Sequence, residues 1–243
     1  MRLYAENVNQ GSIVRNLANW TPRPLPARAP LAGRYVRLEP LDPAVHGDGL
    51  FAVSRVADVA ERFRWLGDYP PEGREAFQPW LVKASSGDDP LFFAVIDAAT
   101  GKIGGRQALM RIDAANGVAE IGNIYWGPEV ARTRLATEAL FLFARHVFDD
   151  LGYRRFEWKC NDRNEPSKRA ALRYGFRFEG IFRQHMVVKG ENRDTAWFAM
   201  LDHEWPAIRR AMELWLAPEN FDSNGQQLER LEIFRERARG DEI

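Results

Sequence analysis

The stretch VARTRLATEALFLFARHVF, Val130 to Phe148, decides the fold. Apolar residues recur at Ala136, Leu140, Phe143, Val147 and Leu151, at spacings of 4, 3, 4 and 4. That stripe predicts a helix buried on a sheet, closed by Gly152. Ahead of it, VAEIGNIYW at 118–126 reads as a strand. A strand, a short loop and a buried helix leave free backbone N–H groups at the helix start, where the dipole also favours a phosphate or carboxylate. Arg132, Thr133 and Arg134 stand at this mouth. Two cations there oppose the dipole by ~0.3–1 kcal/mol each, a cost that a bound anion would offset. Guanidinium forks and a hydroxyl suit a polyanion such as a pyrophosphate. The competing reading is that both arginines are solvated surface charges.

Working outward, a strand is expected at 34–40, and Pro43 opens a helical stretch to about residue 60. RFRWLGDYPP, 62–71, is an aromatic loop followed by a helix at 72–86. Strands follow at 91–97 and 102–112, with turns at 99–102 and 115–117. After the long helix come a strand at 154–160, a helix from Asn164 to Tyr174 capped by Asn164 and closed by Gly175, and two strands within 177–201. TPRPLPARAP, 21–30, has four prolines in ten positions and reads as an extended linker. The expected organisation is an N-terminal arm and linker at 1–30, one α/β (α+β) domain at 31–202, and a helical extension at 203–243 outside the core.

Composition narrows the function. The 243 residues are 45% hydrophobic, with 8 Trp and 15 Phe, enough for a sizeable core. Lys plus Arg balance Asp plus Glu at 34 each, so no global field draws in nucleic acid or a membrane, and an anion site must be local. RRFEWKCNDRN, 154–164, is basic and aromatic, but alternation puts its apolar members inside a strand rather than on a nucleic-acid surface. The single Cys160 excludes an intrachain disulfide and a cysteine zinc cluster, and none of the 4 histidines has ligand spacing to another, so no metal is expected. No segment approaches the ~20 apolar residues of a membrane span, and a cytoplasmic location is expected.

The order of elements, the strand-loop-helix at 118–151 and NEPSKRAALRYGF at 164–176 resemble the GCN5-related N-acetyltransferase (GNAT) superfamily. LAGRYVRLEPLD at 31–42, IGNIYWGP at 121–128 and GFRFEG at 175–180 are similar to its branch that acetylates N-termini of ribosomal proteins. The resemblance covers about residues 31–202. It implies a mixed, mostly antiparallel twisted sheet of about seven strands flanked by helices, with a V-shaped splay between the fourth and fifth. Acetyl-CoA would bind in that V, and the acceptor would be a protein N-terminus or a small-molecule amine. A monomer or homodimer is expected.

Residue by residue, the resemblance places the pyrophosphate signature on Ala131, Arg134 and Ala136, followed by Thr137, Glu138 and Ala139. The signature's basic or amide first position is Ala131 here, and its central glycine is Arg134. Cofactor contacts are expected from Ile124, Trp126, Arg132, Thr133, Arg134, Leu135, Ala136, Thr137 and Asn164. The tyrosine that often protonates the departing thiolate would stand at Ala171, so Ser167 is the expected general acid, with Tyr174 a weaker candidate. Glu120, the one acid on its strand, is the expected base acting through water, its access depending on a bulge in that strand. Trp65, Tyr69 and His185 are the expected acceptor contacts. Ala131, Arg134 and Ala171 also motivate an alternative, a CoA-binding or regulatory module weakened in catalysis.

Overall fold

The computed structural model describes residues 16–240. Eight strands among these residues form a single open sheet: β1 (Leu31–Ala32), β2 (Val36–Pro40), β3 (Leu91–Asp97), β4 (Ile103–Asp113), β5 (Val118–Trp126), β6 (Arg155–Asn161), β7 (Arg177–Val188) and β8 (Glu191–Leu201). Their order is β1-β2-β3-β4-β5-β6-β8-β7. Every pairing is antiparallel except β5 with β6, because the crossover between those two strands is the long helix α4 (Arg134–Arg145). The two-residue β1 is the addition to the seven strands expected, so the anticipated fourth and fifth strands are β5 and β6.

β5 and β6 pair from Val118↔Arg155 to Ile121↔Trp158 and then part, although β5 runs on to Trp126 and β6 to Asn161. On the other side of β5, Ala108↔Gly122 is followed by Arg106↔Tyr125, so Asn123 and Ile124 together oppose Gln107. This is the bulge expected in the strand, and Asn123 takes φ +50° within it. From Gly122 onward the edge of β5 that faces β6 has no strand partner.

One face of the sheet is covered by α4 and α5 (Glu165–Tyr174). Leu140, Phe143 and Val147 pack with Phe93, Ile121, Phe156 and Phe198 in the main core. The α-helical hydrogen bonding of α4 ends at Arg145 and passes into a π-helical turn, His146–Asp150, with Gly152 following at φ +67°. The opposite face packs α1 (Pro43–Val53) and α3 (Arg74–Ser86), burying Leu50, Phe77 and Leu81 against Phe92 and Ala108. The single helix expected from Pro43 to about residue 60 is broken into α1 and α2 (Val59–Phe63). At the break the Tyr125 hydroxyl donates to the Val53 carbonyl at 2.7 Å, occupying the acceptor that a continuing helix would need.

The segment expected to lie outside the core belongs to it. Trp205, Ile208, Met212 and Trp215 of α6 (Trp205–Trp215) and Leu231 of α7 (Leu231–Gly240) are buried in the main core, with Trp205 stacked on Phe148 at 5.4 Å. The amphipathic stripe of α6 therefore seats on the α4 side of the sheet. The Pro-rich segment is extended as expected, but tied down: Arg23 N donates to Ala114 O at 2.9 Å and Tyr153 Oη to Pro24 O at 3.1 Å. Residues 1–15 of the expected arm lie outside the described residues.

Candidate active site

Where β5 and β6 part, a cleft of about 1010 Å³ opens. Ligand pockets typically span ~300–1,000 Å³, so this one has room for a long cosubstrate and an acceptor together. Its walls come from the bulged half of β5, the loop before α4, the start of α5, the loop after α2 and part of the C-terminal segment.

At one end is the α4 mouth. Ala131, Arg132, Thr133 and Arg134 line the cleft. Thr133 is the N-cap: its hydroxyl accepts from Leu135 N at 3.1 Å and donates to Val130 O at 2.8 Å. The hydroxyl expected to face an anion is thus committed to the helix. The amides of Arg134 and Ala136 lie in the first turn, where no intrahelical acceptor is available. The left-handed residue of the loop is Arg132, at φ +65°, while Arg134 is already helical. A glycine is therefore not required at position 134, and the Arg134 side chain swings onto the Tyr35 ring, 4.3 Å from its centroid. Leu135, Ala136 and Thr137 do not line the cleft. They sit on or beside the buried stripe of α4, and Thr137 Oγ1 accepts from Arg173 Nη1 at 3.1 Å. Ile124, Trp126 and Asn164 do line it. Trp126 Nε1 donates to Gln107 Oε1 at 3.1 Å, and Asn164 Oδ1 caps α5 by accepting from Ser167 N at 3.2 Å.

Midway along, Ser167 Oγ accepts from Trp158 Nε1 at 2.9 Å, which leaves its own proton to donate, with the Cys160 sulfur as one acceptor. Burial pushes the Cys160 thiol up to about 11, with a hydrogen bond from Ser167 and the nearby Arg193 and Lys168 offsetting only part. Tyr174 is buried against Trp126 and Trp158, and burial raises its phenol.

Beyond the bulge lies Glu120. Its carboxylate, 3% exposed, is shared by Arg111 Nη1 at 2.7 Å and Lys159 Nζ at 3.0 Å, yet it lines the cleft. Lys159 also reaches Glu157 at 2.5 Å and lies 3.7 Å over the Trp197 ring. Burial alone would raise the Glu157 carboxyl, but Lys159 and Arg155 outweigh it and hold the group below the usual range. Trp65 lines the cleft between the guanidinium groups of Arg64 and Arg163. Its loop is pinned by Arg106, a buried guanidinium stacked 4.2 Å over Trp80 and paired with Asp68 at 2.5 Å. Tyr69 and His185 are not in the cleft wall. Tyr69 is exposed under Lys189 Nζ, and His185 lies on β7 with Nδ1 3.0 Å from Thr195 Oγ1.

A family model described as an acetyltransferase (GNAT) domain matches residues 36–177. The chain belongs to the GNAT acetyltransferase family. A GCN5-related N-acetyltransferase from Brucella melitensis, known as a crystal structure, is 66% identical, covers 90% of this chain and 100% of its own, and superposes with a TM-score of 0.90. Among curated proteins, an uncharacterized N-acetyltransferase p20 of Bacillus licheniformis is 30% identical over 46% of this chain. A putative ribosomal N-acetyltransferase, YdaF of Bacillus subtilis, is 30% identical over 43% of this chain. The aligned parts span 63% and 57% of those two proteins. Members of the GNAT family use acetyl-CoA.

Sequence reasoning did not find Arg111, Lys159 or Arg193, all cleft-lining, nor Phe221, Gln226 and Gln227, which bring the C-terminal segment to the wall beside Arg134. Lys159 was readable in part: an odd-numbered neighbour of Glu157 on one strand shares its face.

Among the described residues no cluster of three or more His, Cys, Asp or Glu is placed to hold a metal ion, and no helix is long and apolar enough to cross a membrane.

Proposed function

We propose that this chain transfers the acetyl group of acetyl-CoA to a primary amine, by direct attack while both substrates are bound. The observation that carries the reading is the parting of β5 and β6 after Ile121–Trp158, which lays an unpaired strand edge between an anion-suited helix mouth and a carboxylate. Acetyl-CoA supplies an activated acyl carbon on a thiolate leaving group. The N–H groups that the 122–125 stretch turns to its unpaired edge are the donors for its carbonyl oxygen, whose negative charge grows as the amine nitrogen bonds to carbon. Glu120 receives the ammonium proton through water, and Ser167, held by Trp158, relays a proton from solvent water to the sulfur as the C–S bond breaks. Arg132, with the first-turn amides of α4, binds the pyrophosphate, and Arg134 closes that end against Tyr35.

A covalent acetyl-cysteine route would need a thiolate, and Cys160 with its pKa near 11 is a thiol at neutral pH. Initial-rate lines for acetyl-CoA and amine should therefore intersect rather than run parallel, and Cys160→Ala should keep turning over. Parallel lines together with a dead Cys160→Ala variant would overturn the direct route. Replacing Arg132 and Arg134 together by Ala should weaken acetyl-CoA binding at least about tenfold in titration calorimetry, since a charged hydrogen bond contributes ~1.5–3 kcal/mol. An unchanged Kd would show that these side chains do not hold the phosphates. The reading as a whole is tested by acetyl transfer to a broad amine panel; tight acetyl-CoA binding with no transfer to any amine would favour a regulatory CoA-binding module, the alternative that Ala131 and Ala171 suggest.

A further inference from the structure

The acceptor side of the cleft holds more cations than carboxylates. Arg62 is answered by Asp58 at 2.8 Å, and Arg111 and Lys159 share Glu120. Arg193, on β8, lines the same compartment with no ion-pair partner among the described residues; its one bond is from Nε to Thr195 Oγ1 at 3.2 Å. It is half-buried, and burial works against its charge by more than the nearby Cys160 and Glu120 support it, with Arg111 adding repulsion. A guanidinium does not release its proton at neutral pH, so this is a standing cost that a bound anion would offset.

The group is also held in one orientation. Thr195 is fully buried, and its hydroxyl lies between Arg193 Nε and His185 Nδ1, 3.0 Å away. Burial and the neighbouring Arg193, Arg111 and Lys159 hold the His185 pKa below its ordinary value, so the neutral ring accepts the Thr195 proton while the oxygen accepts from Arg193. With Nε fixed, both terminal amino groups of the fork remain for a ligand, the geometry that matches a carboxylate or phosphate. Met110, Met186 and Val188 line the compartment as well, and they suit an apolar spacer between the anion and the reacting amine.

We propose that Arg193 is an anion subsite of the acceptor pocket, and that the acceptor is a primary amine carrying a carboxylate or phosphate, its amine toward Glu120 and its anion on Arg193. The proposal rests on the acetyl-transfer reading and narrows its substrate class. His185 then acts as a positioning residue, through Thr195.

The test uses matched amines that differ in the anionic group: β-alanine against its amide, O-phosphoethanolamine against ethanolamine, and the tripeptide amides Asp-Ala-Ala and Asn-Ala-Ala. The anionic member of at least one pair should be preferred at least about tenfold in kcat/KM, the scale of one charged hydrogen bond, and the favoured pair separates carboxylate from phosphate. Arg193→Met should collapse that ratio through KM, Arg193→Lys should restore part of it, and the KM of acetyl-CoA should stay put in both. Equal or better use of the neutral members by the wild-type chain would overturn the proposal, as would an equal loss for both members in Arg193→Met. Should none of the six be acetylated, the acetyl-transfer reading fails for these amines, and the subsite is judged by calorimetry on the CoA-loaded protein. Anionic probes binding the wild type and not Arg193→Met sustain it; no difference sinks it.

Discussion

Replacing Glu120 by glutamine is expected to lower kcat at least about a hundredfold, the low end of the ~10²–10⁴ that a positioned general base contributes. The carboxylate is 3% exposed, touches the cleft, and stands at the last stretch of β5 still paired to β6. An attacking amine must be neutral and must then lose a proton, and no other carboxylate of β5 is available for it. The deficit should shrink as pH rises toward the acceptor amine's own pKa, because a growing share of the amine then arrives deprotonated. A structural role would give a loss independent of pH. The fold should tolerate the change, since Lys159 keeps Glu157 at 2.5 Å and Arg111 is partly solvated. A pH-independent loss accompanied by a large fall in Tm would show that Glu120 serves the ion-pair cluster rather than the chemistry.

The parts of this fold that sequence made legible are those whose causes are local. The stripe from Ala136 to Val147 and the caps of α5, Asn164 and Gly175 at φ +102°, lie within a few residues of the structure they specify. Periodicity reveals that a helix has an apolar face but not what covers it, and so α6, whose stripe is Ile208, Met212 and Trp215, was expected outside the core. The break between α1 and α2 was invisible for a related reason: its cause, Tyr125, is 72 residues away from Val53. The site divides in the same way. The α4 mouth came from a contiguous segment, whereas Arg111, Lys159 and Arg193 meet around Glu120 only after four strands have paired, with β8 inserted between β6 and β7. Tyr69 and His185 lie outside the cleft wall, and residue type carries no information about which way a loop or an irregular strand turns.

Replacing Glu138 by alanine is expected to cost about 3–5 kcal/mol of stability, from three orphaned amides at ~1–3 kcal/mol each with partial rescue by water. This side chain follows the loop at the α4 mouth but turns away from it. Its carboxylate, 5% exposed, accepts from the backbone N–H groups of Arg34 at 2.8 Å, Tyr35 at 2.5 Å and Val36 at 2.7 Å. Among the described residues those donors have no other acceptor, and the approach is so close that a Cβ on Gly33 would meet the Glu138 carboxyl at 2.5 Å. Glu138→Gln keeps one accepting oxygen but presents an amide to the remaining donors, so it should be destabilised as well, by less. Urea unfolding of the three proteins measures this directly, and a cost below about 1 kcal/mol for alanine would mean that water satisfies the turn unaided. The same bonds position Tyr35, whose ring carries Arg134 and whose hydroxyl donates to Leu216 O at 3.0 Å, linking the α4 mouth to the end of α6. A Glu138→Ala protein assayed while still folded should therefore also bind acetyl-CoA more weakly. That loss should be absent from a variant equally destabilised in the second core, such as Leu81→Ala, because Leu81 packs on the far face of the sheet and supports no residue of the loop.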